Sequence, residues 1–296
     1  MCETVLIVPS SRSEVSSMHG ASSGEVAEPL GPDSLAWRYC GDWRVLLLLG
    51  RVGYLQLMYP PLSAGVIDHS AFYAEPWDRV LRSLPAIAGL VYDGPAAART
   101  AHRVRDLHAP VEGIDHRGVP YRALDPRVFF WAFATITENV ITVIDAFDHR
   151  MGPAEREAFY QEMVRCWRQF GLGTREVPAD YPAFRRYFDR MCEEELELTP
   201  AARRFRDVFN RPGISAQPWV PARLWRLVAP LAALPRALSV VALPPALRRV
   251  LGHQPTAVQK SVFWVTRTLV RLGWPLLPRG WRYMERARVA FSRLDG

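Results

Sequence analysis

Lysine is nearly missing from this chain: Lys260 stands alone, and every other basic residue is an arginine. The 37 basic and 30 acidic residues leave +7 and a pI near 9.5, but the arginines are spread through every segment. Without a clustered basic stripe and interleaved aromatics, no nucleic-acid partner is expected. Cysteine is scarce too: Cys2, Cys40, Cys166 and Cys192 form no CxxC pair and no Cys/His zinc spacing. Buried free thiols in a reducing compartment follow. The residues ahead of Pro9 contain Glu3 and no basic stretch, so no secretory signal is expected and the chain reads as cytoplasmic. Two apolar stretches fall short of a membrane span as well. Val45–Leu49 is far below the roughly twenty residues a membrane span needs. The greasy stretch 218–251 is broken by Arg223, Arg226, Arg236, Arg248 and Arg249 and by Pro230, Pro235, Pro244 and Pro245. It reads as short helices packed on a core, while Trp219 and Trp225 with flanking arginines leave peripheral membrane docking open. No Walker loop, GxGxxG, GxSxG, HExxH or ExxH pattern is present, which removes support for phosphate-binding, hydrolase and zinc chemistry.

Proline, by contrast, is plentiful, with 25 residues. Pro76, Pro95, Pro126, Pro153, Pro182 and Pro200 each stand where a helix would open, at the turn whose N–H groups have no partner anyway. Asp125, Thr199 and Gly94 precede three of them as caps. In 126–147, Phe130, Ala134, Ile141 and Ile144 recur at helical intervals. The expected architecture is therefore all-α, a single bundle-like domain over 35–296 behind a disordered tail, 1–34, too polar to offset its ordering entropy. A short hairpin turning at Gly118 is expected within Gly113–Tyr121.

Seven dispersed histidines offer no sequence-local metal site. His108, however, shares a helical face with Ala101, Val104, Leu107 and Val111, and so points inward, whereas His102 faces elsewhere. Two readings stand: a buried, hydrogen-bonded histidine, or a haem axial ligand. Arg79, Arg82 and Ser83 share a face at offsets of three and four. They could line a pocket, or form a solvated edge with ion pairs to Glu75 or Asp78. Glu138, inside the apolar helix 126–147, reads either as an internal base or as half of a salt bridge.

The ordered motifs GRVGYLQLMYPPLSAGVIDHSAF, DRVLRSLPAIAGLVYDG, VRDLHAPVEG, YRALDPRVFFWAFATI and FYQEMVRCWRQFGLG resemble the MpaB-type oxygenase and rubber-oxygenase catalytic domain, the family of latex clearing protein. The resemblance runs from about Gly50 to about Leu251. It implies a fold enclosing a haem b pocket, with His108 as the proximal iron ligand. It also implies Arg79, Arg82 and Ser83 as the oxygen-side or haem-contacting set, with Arg79 and Ser83 catalytic. Ser83 stands where the family usually has Thr. Pro110 closely follows the ligand, and the aromatic run Trp131–Phe133 covers a position that is often His. The family's glutamate base has no clear counterpart; Asp68 and His69 occupy that stretch. The implied activity is O₂-dependent cleavage of a C=C bond in an isoprenoid or other apolar substrate. Competing readings are a non-catalytic haem carrier or sensor, and a peripheral membrane protein without haem.

Overall fold

The computed structural model describes residues 28–69, 76–210 and 234–294, with 76–82 and 208–210 as backbone only. The tail expected over 1–34 lies outside it up to residue 27, but Leu30 is already buried, its carbonyl accepting from Trp37 Nε1 at 3.0 Å. The packed chain thus begins ahead of residue 35.

The described residues form fourteen α-helices and one two-stranded hairpin. In chain order these are α1 (Leu35–Tyr39), α2 (Leu49–Leu57), α3 (Pro60–His69), α4 (Pro76–Tyr92), α5 (Ala97–His108), β1 (Glu112–Ile114), β2 (Pro120–Arg122), α6 (Pro126–Phe147), α7 (Pro153–Arg168), α8 (Tyr181–Arg190), α9 (Pro200–Asn210), α10 (Leu234–Ala242), α11 (Pro245–Val250), α12 (Ala257–Gly273), α13 (Arg279–Arg282) and α14 (Glu285–Ser292). The all-α expectation holds.

Caps and prolines set most of the helix starts. The Asp125 carboxylate accepts from Arg127 N–H at 2.8 Å, with Pro126 in the first turn. Thr199 Oγ1 accepts from Ala202 N–H at 3.0 Å ahead of Pro200 while donating to the Leu57 carbonyl at 2.6 Å, so one hydroxyl starts α9 and closes the end of α2. Pro95 behaves differently from the sequence expectation. It sits in a 3₁₀ turn, Gly94–Ala96, and α5 starts only at Ala97. Gly94 has φ of 53°, a left-handed conformation no helix N-cap adopts; it bends the chain between α4 and α5.

The core gathers around α6, which runs through the fold with Trp131, Ala134 and Ile144 wholly buried. This helix is long and apolar enough to cross a membrane, yet most of it is covered by the rest of the protein. Its C-terminal carbonyls, which have no partner within the helix, are taken by arginines. Arg44 Nη1 donates to the Phe147 carbonyl at 3.1 Å, Arg267 and Arg271 donate to that of Ala146 at 3.1 Å, and Arg271 to that of Asp145 at 2.7 Å. Part of the arginine surplus thus neutralises the negative end of a helix dipole rather than facing an anionic partner.

Candidate functional site

α4 and α5 pack along one another, joined by the tight corner at 93–96. Gly89 permits the close approach: a Cβ there would lie 2.9 Å from Thr100 Cγ2 and 2.7 Å from Asp93 Oδ2. Asp93 then holds the corner, accepting from Thr100 Oγ1 at 2.5 Å and from Arg286 Nε of α14 at 2.7 Å. Ser83 and His108 sit about 14 and 17 Å along their helices from this corner, from the helical rise, and so stand at the same end of the pair.

His108 is the last residue of α5, 5% exposed. Its Nδ1 lies 2.6 Å from the Val104 carbonyl one turn back. A carbonyl cannot donate, so Nδ1 carries the proton and Nε2 is the nitrogen with the lone pair. Phe129, from the first turns of α6, meets the ring edge to face at 5.3 Å between centroids. The helix stops there because Ala109 is the C-cap and Pro110 follows, and Val111 N–H then donates to the His108 carbonyl at 3.1 Å. That bond leads directly into the hairpin.

The inward face read from spacing largely holds: Ala101, Val104 and Val111 are buried with His108, Leu107 is half-buried, and His102 is exposed. Ser83 is buried as well. The helix of Arg79 and Arg82 is in place, but their side chains lie outside the described residues. Asp68 and His69 are both committed to the hairpin. Asp68 Oδ2 accepts from Tyr121 OH at 3.0 Å, and His69 Nε2 donates to the Glu112 carbonyl at 3.2 Å. Burial, and then the Asp68 carboxylate, hold the Tyr121 hydroxyl well above its ordinary range. Glu138 is paired on both sides, with Arg51 and with Arg185, and accepts from Thr142 Oγ1 at 3.0 Å. Its salt-bridge reading is the one the structure bears out.

Sequence reading missed two partners of His108. The Val104 carbonyl could have been found, because a side chain in the last helical turn can reach the carbonyl four residues back. Phe129 had no local signal. A cavity of about 760 Å³ lies beside the hairpin, lined by Tyr59, Gly113, Tyr121, Arg127 and Val128 among others. His108 is not part of its wall, although Val128 adjoins Phe129 along α6. Among the described residues no three His, Cys, Asp or Glu side chains converge as a metal site. Burial pushes the thiols of Cys166 and Cys192 up to about 12, and that of Cys40 upward as well.

Residues 37–272 match the family described as ER-bound oxygenase mpaB/B'/rubber oxygenase, catalytic domain. No curated protein and no solved structure matches the chain. With most of its length covered by that match, the chain belongs to the MpaB and rubber-oxygenase catalytic-domain family, an oxidoreductase domain that in general terms works with O₂ on an apolar substrate.

Proposed function

We propose that the protein is a haem b-dependent oxygenase that cleaves a C=C bond of an isoprenoid or similarly apolar substrate. The observation that carries this reading is the buried His108 ring, whose Nδ1 lies 2.6 Å from the Val104 carbonyl, which makes Nε2 the nitrogen able to ligate. A single-ligand prosthetic group would need one imidazole from the chain and no cluster of protein ligands, and His108 is the residue that would supply it. Bound haem supplies the oxygen-activating chemistry, which no side chain of the protein can provide.

The chain's own part is positioning and exclusion. His108 holds the group, and its bond to Val104 restrains rotation of the ring. Phe129, Val104 and Val111 keep water from the ligand. Arg79 and Arg82, on the stretch of α4 level with His108, supply cations for the carboxylates at a haem edge. With Arg79, the Ser83 hydroxyl forms the oxygen-side catalytic pair.

The test begins with absorption spectra of the full chain purified from haem-replete cells. Wild type shows a Soret band; His108→Ala loses it, and added imidazole restores part of it by filling the vacated ligand position. A colourless wild type, or an unchanged band in His108→Ala, overturns the assignment. Oxygen uptake with a polyprenyl substrate, yielding carbonyl products, marks the oxygenase. A Soret band with no uptake on any isoprenoid marks a haem carrier or sensor instead.

A further inference from the structure

Helix α12 turns its charges inward. Arg267 and Arg271 reach the carbonyls at the end of α6, and Phe263 and Val270 pack on the cluster formed by Leu48, Val143, Phe147 and Leu238. What remains outside is apolar. Val258, Trp264, Val265, Leu269 and Leu272 are 58–72% exposed, and Lys260 is the only charged residue among the exposed positions of this helix. The apolar stripe continues past the helix end through Leu276 at 83% and Trp281 at 73%. Scattered exposed apolar residues are ordinary; a contiguous row along a helix about 25 Å long marks a contact surface.

Charge decides what the contact is. Residues 257–294 hold eight arginines and lysines against one acidic residue, Glu285, a surplus of seven equal to the net charge of the whole chain. Lys260, Arg279, Arg288 and Arg293 of this segment are exposed, against Glu285 alone, so the apolar row belongs to a segment with a positive excess at its surface. A second copy docked on the same face would bring that surplus against itself. An anionic surface would be attracted by it. Trp264 and Trp281, with Arg267 4.6 Å above the Trp264 ring, are the side chains that settle between hydrocarbon and headgroups. The inner face of α12 is committed to α10 and α6, so the helix can lie on a bilayer but cannot cross it.

We infer that α12 and the Leu276–Trp281 segment form a monotopic docking face for an anionic lipid membrane. This assignment is independent of the haem reading.

The experiment is co-sedimentation of the full chain with vesicles of phosphatidylcholine alone or mixed with phosphatidylglycerol, at low and high salt. Wild type is expected to bind the anionic vesicles more tightly, and added salt to weaken that preference. Leu269→Asp/Leu272→Asp is expected to cut binding at least about tenfold, because two apolar side chains no longer insert. Both positions are exposed, so thermal melting should be unchanged; if it is not, Val265→Glu serves as the second variant. Absence of binding to either vesicle, or binding that neither variant weakens, overturns the inference. So does a dimer seen by light scattering that the substitutions dissolve, since that assigns the face to a second copy.

Discussion

Glu138 shows what one buried charge demands of its surroundings. It sits within the apolar helix α6, 5% exposed, and is held by Arg51 from α2 and by Arg185 from α8 at 2.9 Å. Arg51 is buried as deeply; its Nε donates to the Ala242 carbonyl at 3.0 Å, and its Nη1 has no hydrogen-bond partner among the described residues. Removing one member leaves the other as an uncompensated ion, so Glu138→Ala should cost about 3–5 kcal/mol. The paired replacement Arg51→Met/Glu138→Leu removes both charges and should cost much less than the single change. Urea denaturation checks both; equal losses in the two variants would show that the pair is not coupled. Neither partner could be read from the sequence, since Arg51 and Arg185 stand 87 and 47 residues from Glu138. His108 was more legible, because its inward face follows from helical spacing alone.

Among the elements, the hairpin after α5 depends on Asp115. Its carboxylate accepts from the Arg117 N–H at 2.9 Å and the Val119 N–H at 3.0 Å, and the turn closes at Gly118, whose φ is 81°. Burial works to raise the Asp115 carboxyl, but the two backbone N–H bonds and the Arg117 guanidinium outweigh it and hold the group below its usual range. A depressed folded value stabilises the protein above the unfolded value, about 3.9, and that contribution is lost as the pH falls through the lower folded value. Asp115→Ala should therefore lower stability by about 1–2 kcal/mol at neutral pH. The difference from wild type should shrink below about pH 4, as thermal melts at several pH values would show. A gap that stays constant into acid would mean that the carboxylate's charge contributes nothing. Gly118 announced this turn in the sequence, and Asp125–Pro126 announced α6. Pro95 misled, because proline suits a 3₁₀ turn as readily as the first turn of an α-helix.

At the scale of the whole molecule, the site depends on chain from both ends of the described structure. Arg286 of α14 pairs with Asp93 at the α4–α5 corner, and Tyr283 OH donates to the Arg38 carbonyl at 3.0 Å. Tyr92 OH, buried at the same corner, donates to the Trp37 carbonyl at 2.7 Å and accepts from the Gly41 N–H at 2.7 Å. Arg286→Ala should thus speed amide hydrogen exchange in α4 and α5 far more than in α6, whose protection comes from burial. Uniform change across the three helices would refute a local tie.

The sequence by itself determined the all-α class, most proline and cap boundaries though not that at Pro95, the short hairpin, the inward face of His108 and the family. These rest on contacts within a few residues, or on motifs in a fixed order. Only the tertiary structure decided that Val104 and Phe129 fix the His108 ring, that Glu138 is neutralised by two distant arginines, that Asp68 and His69 serve the hairpin, and that α12 turns an apolar face outward. The reason is physical. Backbone preferences act locally, whereas burial and charge pairing depend on which distant segments the fold brings together.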